Sequence, residues 1–330
     1  MLANPELRRH LTQRDTEILL ALDHCPLTAT QLLKLSETFE QQRFTSVRSV
    51  QDRLQKLRHV DWVRSWPYAM ATRGATPEYY KLTLLGYRIL YGQSAQPTTK
   101  RYFNEVSIAN HHHTRCLADF IVHTLVTAHR AAIRMNKFRR DIVLSLQVGS
   151  ESLIPDCAFE LHTADGQQFN FLVELDNSTE RIHSEKDVES WQRKIRLYEQ
   201  FQDGNYPHRF RVLAVTTRSH HRLHHILAMA RERARNPRRL LVYAVHLDDY
   251  LADPNAILTH GFYNHHGCRV ALVPTAPFVS SPPMFPNQGF PSTVSSATVP
   301  HQPLSSFPPP RGAPSRVLPT PPSQALGSHV

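Results

Sequence analysis

Proline removes a backbone donor and fixes φ, which excludes it from helix interiors and central strands. Fourteen of the 24 prolines in this chain lie from Pro277 onward. No acidic residue follows Asp253, and beyond position 276 only Arg311 and Arg316 carry a fixed charge. Residues 276–330 therefore read as a disordered Pro/Ser-rich tail that cannot bury a core. Whatever folds must do so before that point, which leaves room for two domains of ordinary size.

The chain of 330 residues is 41% hydrophobic and 20% charged, with a formal net charge of +10. Such a basic balance favours a polyanionic partner, because neutralised phosphates release condensed counterions. A membrane partner is not expected, since no apolar run approaches the roughly 18 residues of a membrane span. The opening residues MLANPELRRHLTQRD lack the apolar stretch of a signal peptide. Cys25, Cys116, Cys157 and Cys268 stand singly, with neither a CxxC pair nor a disulfide framework. A cytoplasmic location follows as the expectation.

Residues 1–95 read as a helical unit with a β-wing. Thr12 suits an N-cap, Asp15 and Glu17 suit a first turn, and Ile18, Leu19 and Leu22 supply an apolar face. Pro26 ends that helix and Thr28 opens a second. Ser46 opens a third, in which Val47, Val50, Leu54 and Leu57 recur at helical spacing. Its other face carries Arg48, Arg53, Lys56 and Arg58, with Arg43 just before it. Two strands follow, near 62–66 and 79–83, joined by a loop of small residues, and then a helix over 84–90. Helix, helix, basic helix and hairpin is the plan of a winged helix-turn-helix, in which the third helix enters the major groove and the wing meets phosphates. Arg43, Arg48, Arg53, Lys56, Arg58, Arg64 and Arg73 are the candidate DNA contacts.

Residues 104–275 change character. A helix over about 106–134 precedes strand candidates at 142–148, 152–161 and 169–175, the last two joined by a turn at Asp165-Gly166. A helix over 186–201, a strand over 210–215, a helix over 220–235 and a strand over 240–245 complete an α+β order, αβββαβαβ. Pro155-Asp156 is placed inside the second of those strands. Glu174 and Asp176 end the third and share a face, because strand side chains alternate with period two. If the hairpin pairs as drawn, Asp156 joins them. Three converging carboxylates repel unless a hard cation such as Mg²⁺ or Mn²⁺ sits among them, and such an ion generates hydroxide and stabilises phosphate charge.

The spacing PD-x(17)-ExD in this order resembles the PD-(D/E)xK nucleases, whose core is the restriction-endonuclease-like αβββαβ fold. In that family a lysine would stand at position 176, where this chain has Asp176. Some members carry the lysine on the following helix, and Lys194 lies there, four residues from Tyr198 and on the same helix face. Taken with Leu11-Thr12-Gln13-Arg14-Asp15 and Tyr79-Tyr80-Lys81-Leu82-Thr83-Leu84-Leu85-Gly86, these residues resemble the replication-relaxation family over residues 11–275. The resemblance implies a bacterial, DNA-associated protein of plasmids or integrated elements. It also implies origin binding, relaxation of supercoiled DNA, replication or transfer, and partners among relaxosome or replication proteins.

Several features carry rival readings. Tyr198 is either a nucleophile forming a phosphotyrosine link or a core tyrosine with its hydroxyl at a cleft edge. The run His111-His112-His113 departs from a metal-binding HUH motif, because its middle residue is not apolar and it opens a helix. His220 with His224, and His221 with His225, have chelating i, i+4 spacing but no evident third ligand, so they read as an exposed basic helix. Two function classes follow for the whole chain. It is a metal-dependent endonuclease or relaxase with Asp156, Glu174, Asp176, Lys194 and Tyr198 as catalytic candidates, or a non-catalytic, sequence-specific DNA-binding regulator built on a degenerate nuclease fold.

Overall fold

The computed structural model describes residues 11–69, 76–97, 100–140, 144–177, 182, 190–204 and 209–274. The tail expected at 276–330, the candidate Arg73 and the start of the helix expected at 186–201 lie outside them.

Local chemistry sets the first unit. Helix α1 (Gln13–His24) starts at Thr12, whose hydroxyl accepts the Asp15 N–H while the Asp15 side chain accepts the Thr12 N–H. This reciprocal capping box satisfies donors that the first turn leaves open. Thr28 and Gln31 repeat the device at helix α2 (Ala29–Leu35), and Ser46 caps helix α3 (Val47–His59). Strand β1 (Leu27–Thr28), which sequence periodicity does not reveal, pairs with β3 (Glu78–Leu82), and β3 pairs with β2 (Val63–Pro67) in an antiparallel sheet of order β1-β3-β2. Helix α4 (Leu84–Tyr91) follows, capped by Thr83. Gly86 lies so close to the β2 strand entry that a Cβ there would stand 2.1 Å from the Trp62 carbonyl oxygen. Only glycine permits that approach.

The second unit is a seven-stranded sheet between two helical layers. Its elements are α5 (His111–Arg130), β4 (Arg134–Arg140), a small hairpin of β5 (Leu146–Val148) and β6 (Glu151–Leu153), then β7 (Cys157–His162) and β8 (Gln168–Asp176). Next come α6 (Trp191–Asp203), β9 (Arg211–Thr216), α7 (His220–Arg233), β10 (Val242–His246), α8 (Leu247–Ala252), β11 (Phe262–Asn264) and β12 (Arg269–Val270). The sheet order is β12-β11-β10-β9-β8-β7-β4. Strands β4, β7 and β8 form an antiparallel meander, and β8, β9 and β10 run parallel. One face, with Phe159, Phe171, Val173, Leu213 and Val245, belongs to the same core as Phe120 of α5 and Tyr250 of α8. The other, with Leu172, Val212 and Ala244, belongs to the core of Trp191 and Ile195 of α6 and Leu223 of α7.

The meander differs from expectation in its first strand. The helix expected to reach Arg134 stops at Arg130, and Arg134–Arg140 is the strand. Its sequence RMNKFRR lacks an apolar alternation because β4 is an edge strand, where charged side chains discourage pairing with another chain. The segment expected as that strand, 142–148, contributes only β5, which pairs with β6 outside the large sheet. The segment expected as one strand at 152–161 therefore breaks into β6 and β7, separated by Ile154-Pro155-Asp156. Asp156 thus precedes β7 instead of lying within it, although its N–H still bonds the Val173 carbonyl at 2.9 Å. The β7–β8 hairpin turns as expected, with Gly166 at φ +85°.

The two units share a continuous hydrophobic core, which includes Leu32, Leu54 and Phe120. Helix α2 packs along α5. There Gln31 Nε2 donates to Asp119 Oδ1 at 2.7 Å and Lys34 Nζ donates to His123 Nδ1 at 2.9 Å. Arg130 closes the far end on the Glu37 carboxylate, with a donor–acceptor separation of 2.7 Å on one oxygen.

Candidate functional site

Strand β8 ends in Glu174-Leu175-Asp176, and both carboxylates point to the α6 side of the sheet. Glu174 is fully enclosed, at 2% exposure. Helix α6, capped by Ser190, brings Lys194 and Tyr198 onto it one turn apart, as their i, i+4 spacing requires. Lys194 Nζ donates to Glu174 Oε2 at 2.8 Å, and the Tyr198 hydroxyl donates to Oε1. Burial pushes the Glu174 carboxyl above the usual range and Asp156 adds to that shift, while the Lys194 ammonium and the two hydrogen bonds oppose it.

Asp156 stands beside this pair at the entrance to β7. Its Oδ2 accepts the Leu175 N–H at 2.7 Å, which ties it to β8, and its Oδ1 accepts from His113 Nε2 at 2.9 Å. His113 belongs to the first turn of α5, so the helix start that sequence reading set aside supplies a partner to a candidate carboxylate. No periodicity signals that contact, because it joins residues 43 apart. His111 of the same run is buried, with Nδ1 accepting the Ala69 N–H.

Asp176 takes a different course. Arg222 of α7 grips it with Nε on Oδ1 at 3.0 Å and Nη2 on Oδ2 at 2.8 Å, and the Trp191 indole N–H also donates to Oδ2. A guanidinium fork of this kind neutralises the carboxylate it holds. Among the described residues Asp156, Glu174 and Asp176 do not gather within 4.8 Å of one another. The arrangement differs from three carboxylates around one point: Asp156 and Glu174 are neighbours, and Asp176 is held by Arg222. Asp156 and Glu174 still offer hard oxygen atoms of the type that Mg²⁺ prefers.

The basic face of α3 is open. Arg48, Lys56 and Arg58 are exposed, as are Arg43 before the helix and Arg64 on β2. Arg48 pairs with Asp52 one turn on, at 81% and 51% side-chain exposure, so the pair is screened and loosely held. Arg58 lies 3.8 Å from Glu78, and Arg64 lies 3.4 Å from Asp61. Thr12, Arg14, Gln42, Arg43, Ser49 and Lys56 line a shallow depression beside α3. Arg53 departs from the expected set, because it turns inward onto the fully buried Asp15 of α1. On β2 and β3, Trp66 and Tyr79 stack with ring centroids 5.8 Å apart.

A helical unit with a small antiparallel sheet, docked on a mixed α+β sheet domain whose best-formed polar cluster is Asp156, Glu174 and Lys194, is the class of protein these features define. The profile of the replication-relaxation family matches residues 20–213, more than half of the chain, and the chain belongs to that family. Membership points to a role in replication or relaxation of plasmids or mobile elements. No curated protein and no solved structure matches the chain. Among the described residues no helix is long and apolar enough to cross a membrane.

Proposed function

We propose that this protein binds duplex DNA at an origin of a plasmid or mobile element and nicks it in a divalent-metal-dependent reaction. In this reading the first unit is a winged helix-turn-helix, with α3 in the major groove and β2–β3 as the wing. Arg43, Arg48, Lys56, Arg58 and Arg64 are its phosphate and base contacts. The second unit is a PD-(D/E)xK-type core. The observation that carries this reading is Lys194, which reaches Glu174 at 2.8 Å beside Asp156 and so supplies from α6 the cation missing at position 176.

Asp156 and Glu174 are the residues that would hold Mg²⁺ or Mn²⁺. They suit it because their mutual repulsion, which helps raise the Glu174 carboxyl, is what a cation relieves. Such an ion, when bound, lowers the pKa of water and stabilises phosphate charge. Lys194 acts beside it as the fixed ammonium of the site, and His113 holds Asp156 in place. Tyr198 is a positioning residue: its hydroxyl is committed to Glu174 and the side chain is fully buried, which disfavours covalent attack on DNA. Partners among relaxosome or replication proteins fit the same role.

A second reading, an inert core in a DNA-binding regulator, is favoured by one observation. Asp176 is fully buried and ion-paired to Arg222, which leaves two neighbouring carboxylates where the sequence suggested three. The deciding experiment is conversion of supercoiled plasmid carrying the cognate origin to open circle, with and without Mg²⁺ or Mn²⁺. Nicking by wild type that is lost in Asp156→Asn and in Lys194→Met, with origin binding retained, is the expected result. Tight origin binding with no nicking at any metal concentration overturns the catalytic reading and leaves the regulator.

A further inference from the structure

Outside the Asp156–Glu174 cluster, the described residues contain one gathering of three metal-binding side chains. His220 opens α7, His246 ends β10 and Asp249 lies in the first turn of α8, and their ligand atoms all lie within 4.8 Å of one another. The topology creates it. Strands β9 and β10 are parallel, with Thr216 opposite His246, so the chain leaves both strands at the same end of the sheet. Ser219 caps α7 through the His221 and Arg222 N–H groups, which fixes where His220 begins the helix. The His220 and His246 rings stack with centroids 4.4 Å apart, and His220 Nδ1 lies 3.6 Å from Asp249 Oδ2.

A second observation is independent of that proximity. His246 is only 7% exposed, and its Nδ1 is buried with no hydrogen-bond partner, the Asp248 carboxylate standing 3.9 Å away, beyond hydrogen-bond reach. A buried ring nitrogen left in that state costs free energy unless something binds it. The other two side chains are at the surface, at 62% and 63% exposure. One anchored ligand and two adjustable ones can close on an ion from solvent.

We propose that His220, His246 and Asp249 form a mononuclear site for a divalent transition metal of the zinc class. Imidazole selects zinc and its neighbours over Mg²⁺, and two imidazoles with one carboxylate leave a fourth position for water. Tetrahedral ligands at zinc bond lengths stand about 3.4 Å apart, and because an imidazole lone pair lies in the ring plane, closure requires His220 to turn out of its stack on His246 as Asp249 rotates inward. Of the α7 histidines only His220 joins this group, and its two companions come from the next strand and helix. In register across the sheet, Asp176, Thr216 and His246 form one row, which puts this site about 10 Å from Asp176, at the same end of the sheet.

The test uses the full chain, stripped with chelator and titrated with Zn²⁺ alone by calorimetry, with thermal unfolding followed in parallel. One saturable site that raises the unfolding midpoint is expected. His220→Ala and Asp249→Ala, both exposed and so harmless to folding, should each weaken binding by about 10-fold or more, the scale typical of disrupting a metal's surroundings. The double variant His221→Ala/His225→Ala probes the neighbouring surface pair, whose rings lie 4.0 Å apart, and should bind as wild type. Asp156→Asn should also bind zinc as wild type, which separates this site from the proposed nicking centre. The proposal is overturned by absence of saturable binding, by unchanged affinity in His220→Ala and Asp249→Ala, or by loss in either of the two control variants.

Discussion

Arg53 separates a stability role from the proposed DNA contacts, and replacing it with Ala tests the geometry of the first unit. Its guanidinium grips Asp15, which is fully buried and also accepts the Thr12 N–H and hydroxyl. Removing one partner of a buried ion pair costs about 3–5 kcal/mol when the other charge is left bare. Here the guanidinium is 26% exposed and Asp15 keeps its capping bonds, so about 2 kcal/mol is the expected loss. Burial pushes the Asp15 carboxyl up, but Arg53 and the Thr12 hydrogen bonds outweigh it and hold the group below its ordinary value of 3.8. A carboxylate depressed in the folded state contributes stability above its unfolded pKa and loses it as pH falls through the folded pKa. The gap between wild type and Arg53→Ala should therefore be full at pH 7 and shrink below about pH 4. Urea unfolding across that range reads it directly. Arg48→Ala/Lys56→Ala should unfold like wild type, yet lower the slope of log K against log salt for duplex DNA by about 1.8, at roughly 0.9 per phosphate contact. If Arg53→Ala unfolds like wild type and lowers the salt slope instead, the inward placement of Arg53 is wrong.

Three further outcomes follow from packing and charge. Gly86→Ala should lower the unfolding midpoint by several degrees, a cost of about 1–3 kcal/mol, since its Cβ would meet the backbone oxygen of Trp62 and no side-chain rotation can relieve that. His265 is buried, and desolvation with His266 beside it pushes its pKa down to about 4. The unfolded state takes up that proton first, so stability should decline as pH falls from about 6.5 towards 4, by about 2 kcal/mol; chemical unfolding of His265→Gln should show a shallower pH dependence than wild type. Asp176→Asn keeps the shape but strips Arg222 of its counter-charge, so unfolding experiments should register a loss of about 2–4 kcal/mol while metal affinity stays unchanged. A metal-binding defect at wild-type stability would restore Asp176 to the ligand set.

The parts of the fold that were legible in the sequence are those fixed within a few residues. Thr12, Thr28 and Ser46 mark helix starts through side chains that act three positions away, and the apolar spacing of α3 identifies its buried face without outside information. Lys194 and Tyr198 share a helix face for the same local reason. Strand β4 escaped because an edge strand need not bury alternate residues, and its loss displaced the strand expected after it. The fates of individual charges were hidden more deeply. Nothing near Arg53 or Asp176 shows that one meets Asp15, 38 positions away, and the other Arg222, 46 positions away. Period and composition say which residues are basic or acidic, whereas tertiary pairing decides which of those charges stay available.

That distinction bears on where chemistry can occur in the second unit. Strands β8, β9 and β10 run parallel, so their carboxyl ends lie together, where open α/β sheets present their ligand crevices. Glu174 and Asp176 occupy that end on β8 and His246 occupies it on β10. The first turns of α6 and α7 bring Lys194 and Arg222 to it from above. Each of these two cations has a carboxylate of its own, Lys194 with Glu174 and Arg222 with Asp176, so the edge carries little net charge along β8. At the rim, Asp156 is 22% exposed by side chain, while His220 and Asp249 stand largely in solvent. Among the described residues, Asp156 and the His220–Asp249 pair are therefore open to solvent at this edge, whereas Glu174 lies enclosed behind Asp156.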